Sequence, residues 1–191
     1  MKHAWLVIAG VVLLAGCEGS SPASSPSASA STAAAAPSST VPAGLNASRY
    51  DGYGDTRFGM DEPAFRRAWQ GELQGAASTD GGCYYLAPKW AKSAAVFGFM
   101  FEQGHFVRYD VGNANETAPG GGKVGMTVAQ IRALYGNHVE QSPHKYEQGA
   151  FYLRITGQGQ NVLLFETDAA GKITRWRVGV PPQIDYVEGC S

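Results

Sequence analysis

The sequence predicts an α+β protein built of two tandem helix-plus-antiparallel-sheet repeats, residues 48–119 and 120–191, with the helices packed on one face of the sheet. Two observations carry this expectation. Arg57-Phe58-Gly59-Met60-Asp61, followed by Phe65, Trp69 and Gly71, has a counterpart in Lys123-Val124-Gly125-Met126-Thr127, followed by Ile131, Leu134 and Gly136. Further along, Phe101, Glu102, Gly104, Phe106, Arg108, Tyr109, Val111 and Gly112 match Phe165, Glu166, Gly171, Ile173, Arg175, Trp176, Val178 and Gly179, in register after the turn glycine. Agreement at both ends of a unit marks a duplicated supersecondary element.

The chain opens with a single positive charge at Lys2 and an uncharged, mostly aliphatic run from Ala4 to Gly16. A bilayer span needs about 20 apolar residues, so this shorter run reads as a signal peptide over residues 1–16. It ends in Leu14-Ala15-Gly16-Cys17, which resembles the bacterial lipobox: small residues admit the peptidase, and the thiol of Cys17 accepts diacylglycerol. The two or three acyl chains of such an anchor hold a protein on a membrane where one chain does not. Glu18 rather than Asp follows the cysteine, which under the common sorting rule directs the protein to the outer membrane. Residues 17–47 comprise this lipidated Cys17 and a Ser/Ala/Pro-rich stretch, whose composition cannot bury enough apolar surface to offset its ordering entropy and predicts a disordered tether.

What remains is about 144 residues, the size of one ordinary domain or two small halves. Removing Lys2 leaves 14 basic against 16 acidic residues, near −2, without the basic excess that nucleic acid demands. With Cys17 used for lipid, Cys83 and Cys190 form an even pair in an oxidising compartment, and a disulfide is expected. The rival, a zinc ligand or reactive thiol, has no second Cys or His at ligand spacing.

Within the repeats, Asp61 and Thr127 are suited to cap helix N-termini, Thr127 with Gln130 to make a capping box, and Gly71 and Gly136 to end the helices. A three-residue turn over Glu102, Gln103 and Gly104 pairs Phe99 with Val107 and Phe97 with Tyr109. A four-residue turn from Asp168 to Gly171 pairs Phe165 with Thr174 and Leu163 with Trp176. Tyr109 and Trp176 then share the valine-rich core face. The opposite face carries Met100, Phe106, Arg108 and Asp110, then Leu164, Ile173, Arg175 and Arg177. Apolar groups mixed with arginines suit a protein interface, and an antiparallel sheet with one solvated face shows the same pattern. Gly120, Gly121 and Gly122 lack the Lys and Ser or Thr of a phosphate loop and read as a flexible linker between repeats.

A Gly-Met helix start with Asp or Thr at the cap, a helix ending in Gly and a hairpin with a Gly turn, present twice between Tyr50 and Val180, resemble the β-lactamase-inhibitor-protein-like superfamily, which includes small outer-membrane assembly lipoproteins of the SmpA and BamE type. Its members are non-enzymatic and bind another protein, often through the exposed sheet face. The resemblance implies protein binding here through Arg108, Asp110, Arg175 and Arg177, with Met100 and Phe106 beside them.

His105, His138 and His144 stand in or beside predicted turns, with no Ser or Cys in a nucleophile setting. Asp51 and Asp55, separated by Gly-Tyr-Gly, lack the further acidic ligands of a calcium loop and read as a polar turn. No catalytic residue, metal or cofactor is therefore expected. The leading expectation is an envelope lipoprotein, attached to a membrane through its lipid, that binds a protein partner as inhibitor or scaffold. The alternative is a carbohydrate-binding, lectin-like envelope lipoprotein that stacks glycan on Tyr84, Tyr85, Trp90 or Tyr146 beside Asn113 and Asn115.

Overall fold

The computed structural model describes residues 47–80 and 82–190. The expected signal peptide, Cys17 and all of the tether but Ala47 lie outside the described residues. Among the described residues no helix is long and apolar enough to cross a membrane.

The fold is α+β. Three two-residue strands, β1 (Ser48–Arg49), β2 (Gly52–Tyr53) and β3 (Thr56–Arg57), make a small antiparallel sheet. Then come α1 (Glu62–Trp69), β4 (Leu73–Gln74), β5 (Tyr84–Pro88), β6 (Phe97–Glu102) and β7 (His105–Val111). They are followed by α2 (Val128–Tyr135), β8 (Glu140–Pro143), β9 (Phe151–Thr156), β10 (Val162–Thr167) and β11 (Ile173–Gly179). The main sheet is antiparallel throughout, in the order β4-β5-β6-β7-β11-β10-β9-β8, with β7 and β11 meeting at its centre.

Both helices begin as their sequences dictate. Asp61 accepts from the amide of Ala64, and Thr127 forms the full capping box with Gln130. Gly136 ends α2 with φ 61°, whereas α1 ends one residue earlier than expected, on Gln70 at φ 57°. Gly71 serves another purpose, since a Cβ there would lie 2.6 Å from the Trp69 indole nitrogen. The two helix-leading segments meet the sheet identically. Gly59 and Gly125 donate to the carbonyls of Phe106 and Ile173, and the amides of Phe106 and Ile173 donate back to Met60 and Met126. Glu62 and Val128 likewise donate to Gly104 and Gly171.

Both expected hairpin registers need correction, for one physical reason: each hairpin carries a β-bulge near its turn. The first turn has two residues, Gln103 (φ 51°) and Gly104 (φ 77°), so Phe101 pairs with Phe106; the shift then gives Met100 with Arg108, Phe99 with Tyr109 and Phe97 with Val111. In the second, Thr167 pairs with Ile173, Phe165 with Trp176 and Leu163 with Val178. Val107 and Thr174 are the extra residues. Inserting one residue reverses the facing of those before it, so Phe106 and Ile173 join the helix side rather than the outer face.

The helix-side core is one cluster. Phe65 of α1 lies 4.8 Å from Phe99, 5.0 Å from Phe101 and 4.8 Å from Phe106, ring centre to ring centre; each such edge contact adds about 0.5–1.5 kcal/mol beyond the area it buries. Tyr109 and Trp176, both buried, meet edge to face at 5.8 Å, as core residues. Ile131 and Tyr135 of α2 close the cluster over Phe165. The glycine run is packed rather than loose: a Cβ on Gly120 would lie 2.5 Å from the Tyr135 ring, and one on Gly122 would lie 2.4 Å from Phe165. The flexible-linker expectation is corrected accordingly.

Candidate functional site

On the outer face, strand alternation brings Arg108 and Asp110 of β7 beside Arg175 and Arg177 of β11, with Asp110 opposite Arg177 and Arg175 opposite Glu166. Met100 lies across from Arg108 on the same face. Phe106 does not; it is fully buried among the helix-side aromatics. The expectation that this face is open also fails, because the chain beyond β11 folds back over it. Residues 180–190 form a strap joined to the start of β5 by the Cys83–Cys190 disulfide. Ile184 is fully buried with Tyr152, Val162 and Leu164, and Val187 packs against them. Met100, Arg108 and Arg177 are consequently buried, Asp110 is nearly so, and Arg175 alone of the six residues stays exposed, at 52% of its side-chain surface.

Burying two guanidinium groups is costly unless their donors are paired, and here they are. Arg108 donates through Nε and Nη2 to both Asp110 carboxylate oxygens at 2.9 and 2.7 Å, and through Nη1 to the carbonyls of Gln183 and Tyr186 at 2.9 and 2.7 Å. Tyr85 donates to Asp110 at 3.0 Å and accepts from Arg108 at 3.1 Å. Burial alone lowers the pKa of Arg108, but the adjoining Asp110 carboxylate overrides it and raises the pKa above the ordinary arginine value. Burial and the same carboxylate push the Tyr85 phenol up. Arg177 donates through Nε to the Ile184 carbonyl at 2.8 Å and pairs with Glu166.

The strap carries a 3-10 turn, Gln183–Asp185. A carbonyl oxygen can accept twice: those of Gln183 and Tyr186 take the amides of Tyr186 and Gly189 and keep a second lone pair. The carbonyls of Gln183, Ile184 and Tyr186 are satisfied by the two buried arginines. At its rim, Arg154 pairs with Asp185, Gln183 donates to Glu102, and Lys145 reaches Glu188 at 3.2 Å. Sequence reading missed this strap. The signal was the expected disulfide, since β11 lies three strands from β5 in the sheet and Cys190 reaches Cys83 only by crossing β7 and β6.

His144 sits behind Glu166, with Nε2 at 3.7 Å from its carboxylate and the ring stacked on Tyr152 at 4.6 Å. Its Nδ1 accepts from the amides of Tyr146 and Glu147 at 3.2 and 3.1 Å, which fixes the tautomer with hydrogen on Nε2. His105 Nδ1 lies 3.0 Å from the Gln103 carbonyl. His138 lines an open groove of about 1110 Å³ on the helix side, with Tyr50, Leu134 and Ile155. Asp51 pairs with Arg49 and Arg57 in the polar turn. Among the described residues no group of three His, Cys, Asp or Glu side chains stands close enough to hold a metal ion.

Of the residues offered for glycan stacking, Tyr84 is buried and donates to Glu62 at 2.6 Å, and Tyr85 belongs to the Arg108 network. Asn113 braces a loop by donating to Val96 and accepting from the amides of Asn115 and Glu116. Trp90 and Tyr146 are exposed, at 58% and 59%.

No family model matches the chain, and no curated protein does. Among solved structures it is similar to an extracellular protein containing a SCP domain from Bacillus anthracis str. Ames, at 10% sequence identity and a TM-score of 0.40. The match covers 64% of this chain and 44% of that one, so the chain spans less than half of that protein's length. A likeness of this size carries no argument about fold or activity.

Proposed function

We propose that this chain is a non-enzymatic lipoprotein of the bacterial envelope, anchored through Cys17 in the outer membrane, which binds a protein partner at the strap-bearing face of its sheet. The observation that carries the reading is that this face already grips a polypeptide by its main chain: Arg108 and Arg177 together donate to three strap carbonyls. A surface that recognises carbonyls and apolar side chains suits a protein ligand better than a sugar. A non-catalytic role agrees with His144, whose Nδ1 is spent on two backbone amides and whose Nε2 faces Glu166.

The same reading takes the domain as a tandem duplication of the β-lactamase-inhibitor-protein-like type. Its support is the matched set of backbone bonds at Gly59 and Gly125, at Met60 and Met126, and at Glu62 and Val128, together with bulges at the corresponding residues Val107 and Thr174. The lectin-like alternative keeps only Trp90 and Tyr146 as exposed platforms, because Tyr84, Tyr85 and Asn113 are held in internal bonds.

The test is affinity capture from solubilised envelopes with the wild-type chain and Arg175→Glu. Arg175 is chosen because its side chain is exposed; it stands 3.7 Å from Glu166, which Arg177 also holds, so the variant is used once its unfolding midpoint is checked against the wild type. Capture is run with the Cys83–Cys190 disulfide intact and reduced, and the expected result is one protein retained by the wild type in at least one state and lost from the variant. Equal capture by both removes Arg175 from the interface, and retention of glycan fragments alone favours the lectin-like reading.

A further inference from the structure

Resting on the protein-binding reading above, we infer that the strap is an internal stand-in for the partner, that the partner presents the same chemistry, and that the Cys83–Cys190 disulfide controls access to the face. That chemistry is specific: a short helical turn with two apolar side chains three residues apart and carbonyls that turn a lone pair to the face. In the strap these are Ile184 and Val187, and the carbonyls of Gln183, Ile184 and Tyr186.

The strap differs from the rest of the core in how it is held. The helix-side cluster is continuous across the sheet, whereas the cluster beneath the strap contains four buried residues, Tyr152, Val162, Leu164 and Ile184. Its remaining attachments are polar bonds to Arg108 and Arg177, and rim contacts such as Arg154 with Asp185 and Lys145 with Glu188, where most of the groups are exposed. Exposed pairs of this kind contribute little. Weakly packed segments are the ones that open locally without global unfolding. The covalent restraint is different in kind: Val180 continues from β11 with its amide bonded to Val107, and Cys190 is bonded to Cys83, so both strap ends are fixed. Tethered by β11 alone, the strap is at the millimolar effective concentration typical of short connections; the disulfide fixes its far end and raises that value further. Once the disulfide is reduced, the strap is held at one end only and an external turn can compete. With the strap gone, Arg108 and Arg177 keep Asp110 and Glu166 and turn their remaining donors to water, while Tyr152, Val162 and Leu164 lose the apolar cover of Ile184; an external turn restores that cover and the carbonyl acceptors together.

The test uses a fluorescently labelled synthetic peptide with the sequence of residues 180–189 and the full-length protein in three states: oxidised, reduced, and carrying Cys83→Ser with Cys190→Ser. Anisotropy is expected to rise with the reduced and serine forms at peptide concentrations at least tenfold below any response of the oxidised form. A peptide with Ala at the positions of Ile184 and Val187 is expected not to bind. Equal binding to oxidised and reduced protein, or equal binding of the alanine peptide, overturns the inference. Hydrogen exchange guards against a merely unfolded variant. On reduction the amides of Ile184 and Asp185 should exchange at least tenfold faster than those of Phe99 and Tyr109, which open only with the whole domain; equal rates at strap and core count against the gate. Failure of this inference is separable from failure of the protein-binding reading. Partner capture that the strap peptide does not inhibit leaves partner binding and removes this site, whereas peptide binding with no envelope partner leaves the site and removes the partner.

Discussion

Arg108, in the middle of the sheet, donates from Nη1 to the main-chain carbonyl of Tyr186 at 2.7 Å across 78 residues of sequence. The same guanidinium forks onto Asp110. Replacing Arg108 by Ala takes the ionic partner from the Asp110 carboxylate, which keeps the Tyr85 hydroxyl, and one of two donors from each of the Gln183 and Tyr186 carbonyls, and should cost about 3–5 kcal/mol. Arg108→Lys keeps the charge but not the planar fork, so it should recover only part of the loss. Urea unfolding of the oxidised chains measures both; equal stability of wild type and Arg108→Ala would show that the strap is not held through this group.

Removing the disulfide should destabilise the whole domain. Cys83 and Cys190 are 107 residues apart, and closing a loop of that length removes enough entropy from the unfolded chain to be worth roughly 4–5 kcal/mol in the chain-entropy model. Cys83→Ser with Cys190→Ser should lower the urea midpoint and steepen the slope, because the unfolded chain without the cross-link exposes more surface. A shift equivalent to less than about 1 kcal/mol would mean that the unfolded chain is already compact.

Gly122→Ala discriminates between a packed joint and a loose linker. A Cβ there would lie 2.4 Å from the Phe165 ring and 3.0 Å from the Tyr135 hydroxyl, an overpacking that costs about 1–3 kcal/mol. In a flexible linker the same change is neutral or slightly stabilising, because it restricts the unfolded chain. A thermal unfolding curve decides between them.

Glu62 ties stability to pH. Burial pushes its carboxyl up, but the Tyr84 hydroxyl and the Arg66 guanidinium hold it below the ordinary range. A carboxyl depressed in the folded state contributes stability that is fully present above its unfolded pKa, about 4.3, and is lost as pH falls through the lower folded value. Glu62→Gln should therefore be less stable than wild type at pH 7, and the gap should close on acidification below that value. A gap that persists unchanged at pH 2.5 would assign the loss to packing instead.

The class of fold was legible because period-two and helical patterning and helix caps are local properties. Asp61 and Thr127 announce their helices within four residues, and both cap as expected. Facing along the strands was also legible wherever strict alternation holds, as at Tyr109 and Trp176. It failed at Phe106 and Ile173, because a bulge is a property of two strands together and neither strand advertises it alone. The outer face failed for a longer-range reason. Met100, Arg108 and Arg177 look like surface residues within their own strands, and only the return of residues 180–190 buries them. Ile184 and Val187, with a cysteine three residues further on, were the sequence trace of that return.

The central claim, a protein partner at the strap-bearing face, is tested most directly by a photo-activated cross-linking residue at Asp185, on the exposed side of the strap, in living cells. One dominant adduct with another envelope protein is expected, stronger when Cys83→Ser and Cys190→Ser free the strap, at least tenfold weaker when Arg175→Glu is combined with it and absent when the same label stands at exposed Asn115. Adducts equal in pattern and yield at positions 185 and 115, or unaffected by Arg175→Glu, would contradict it.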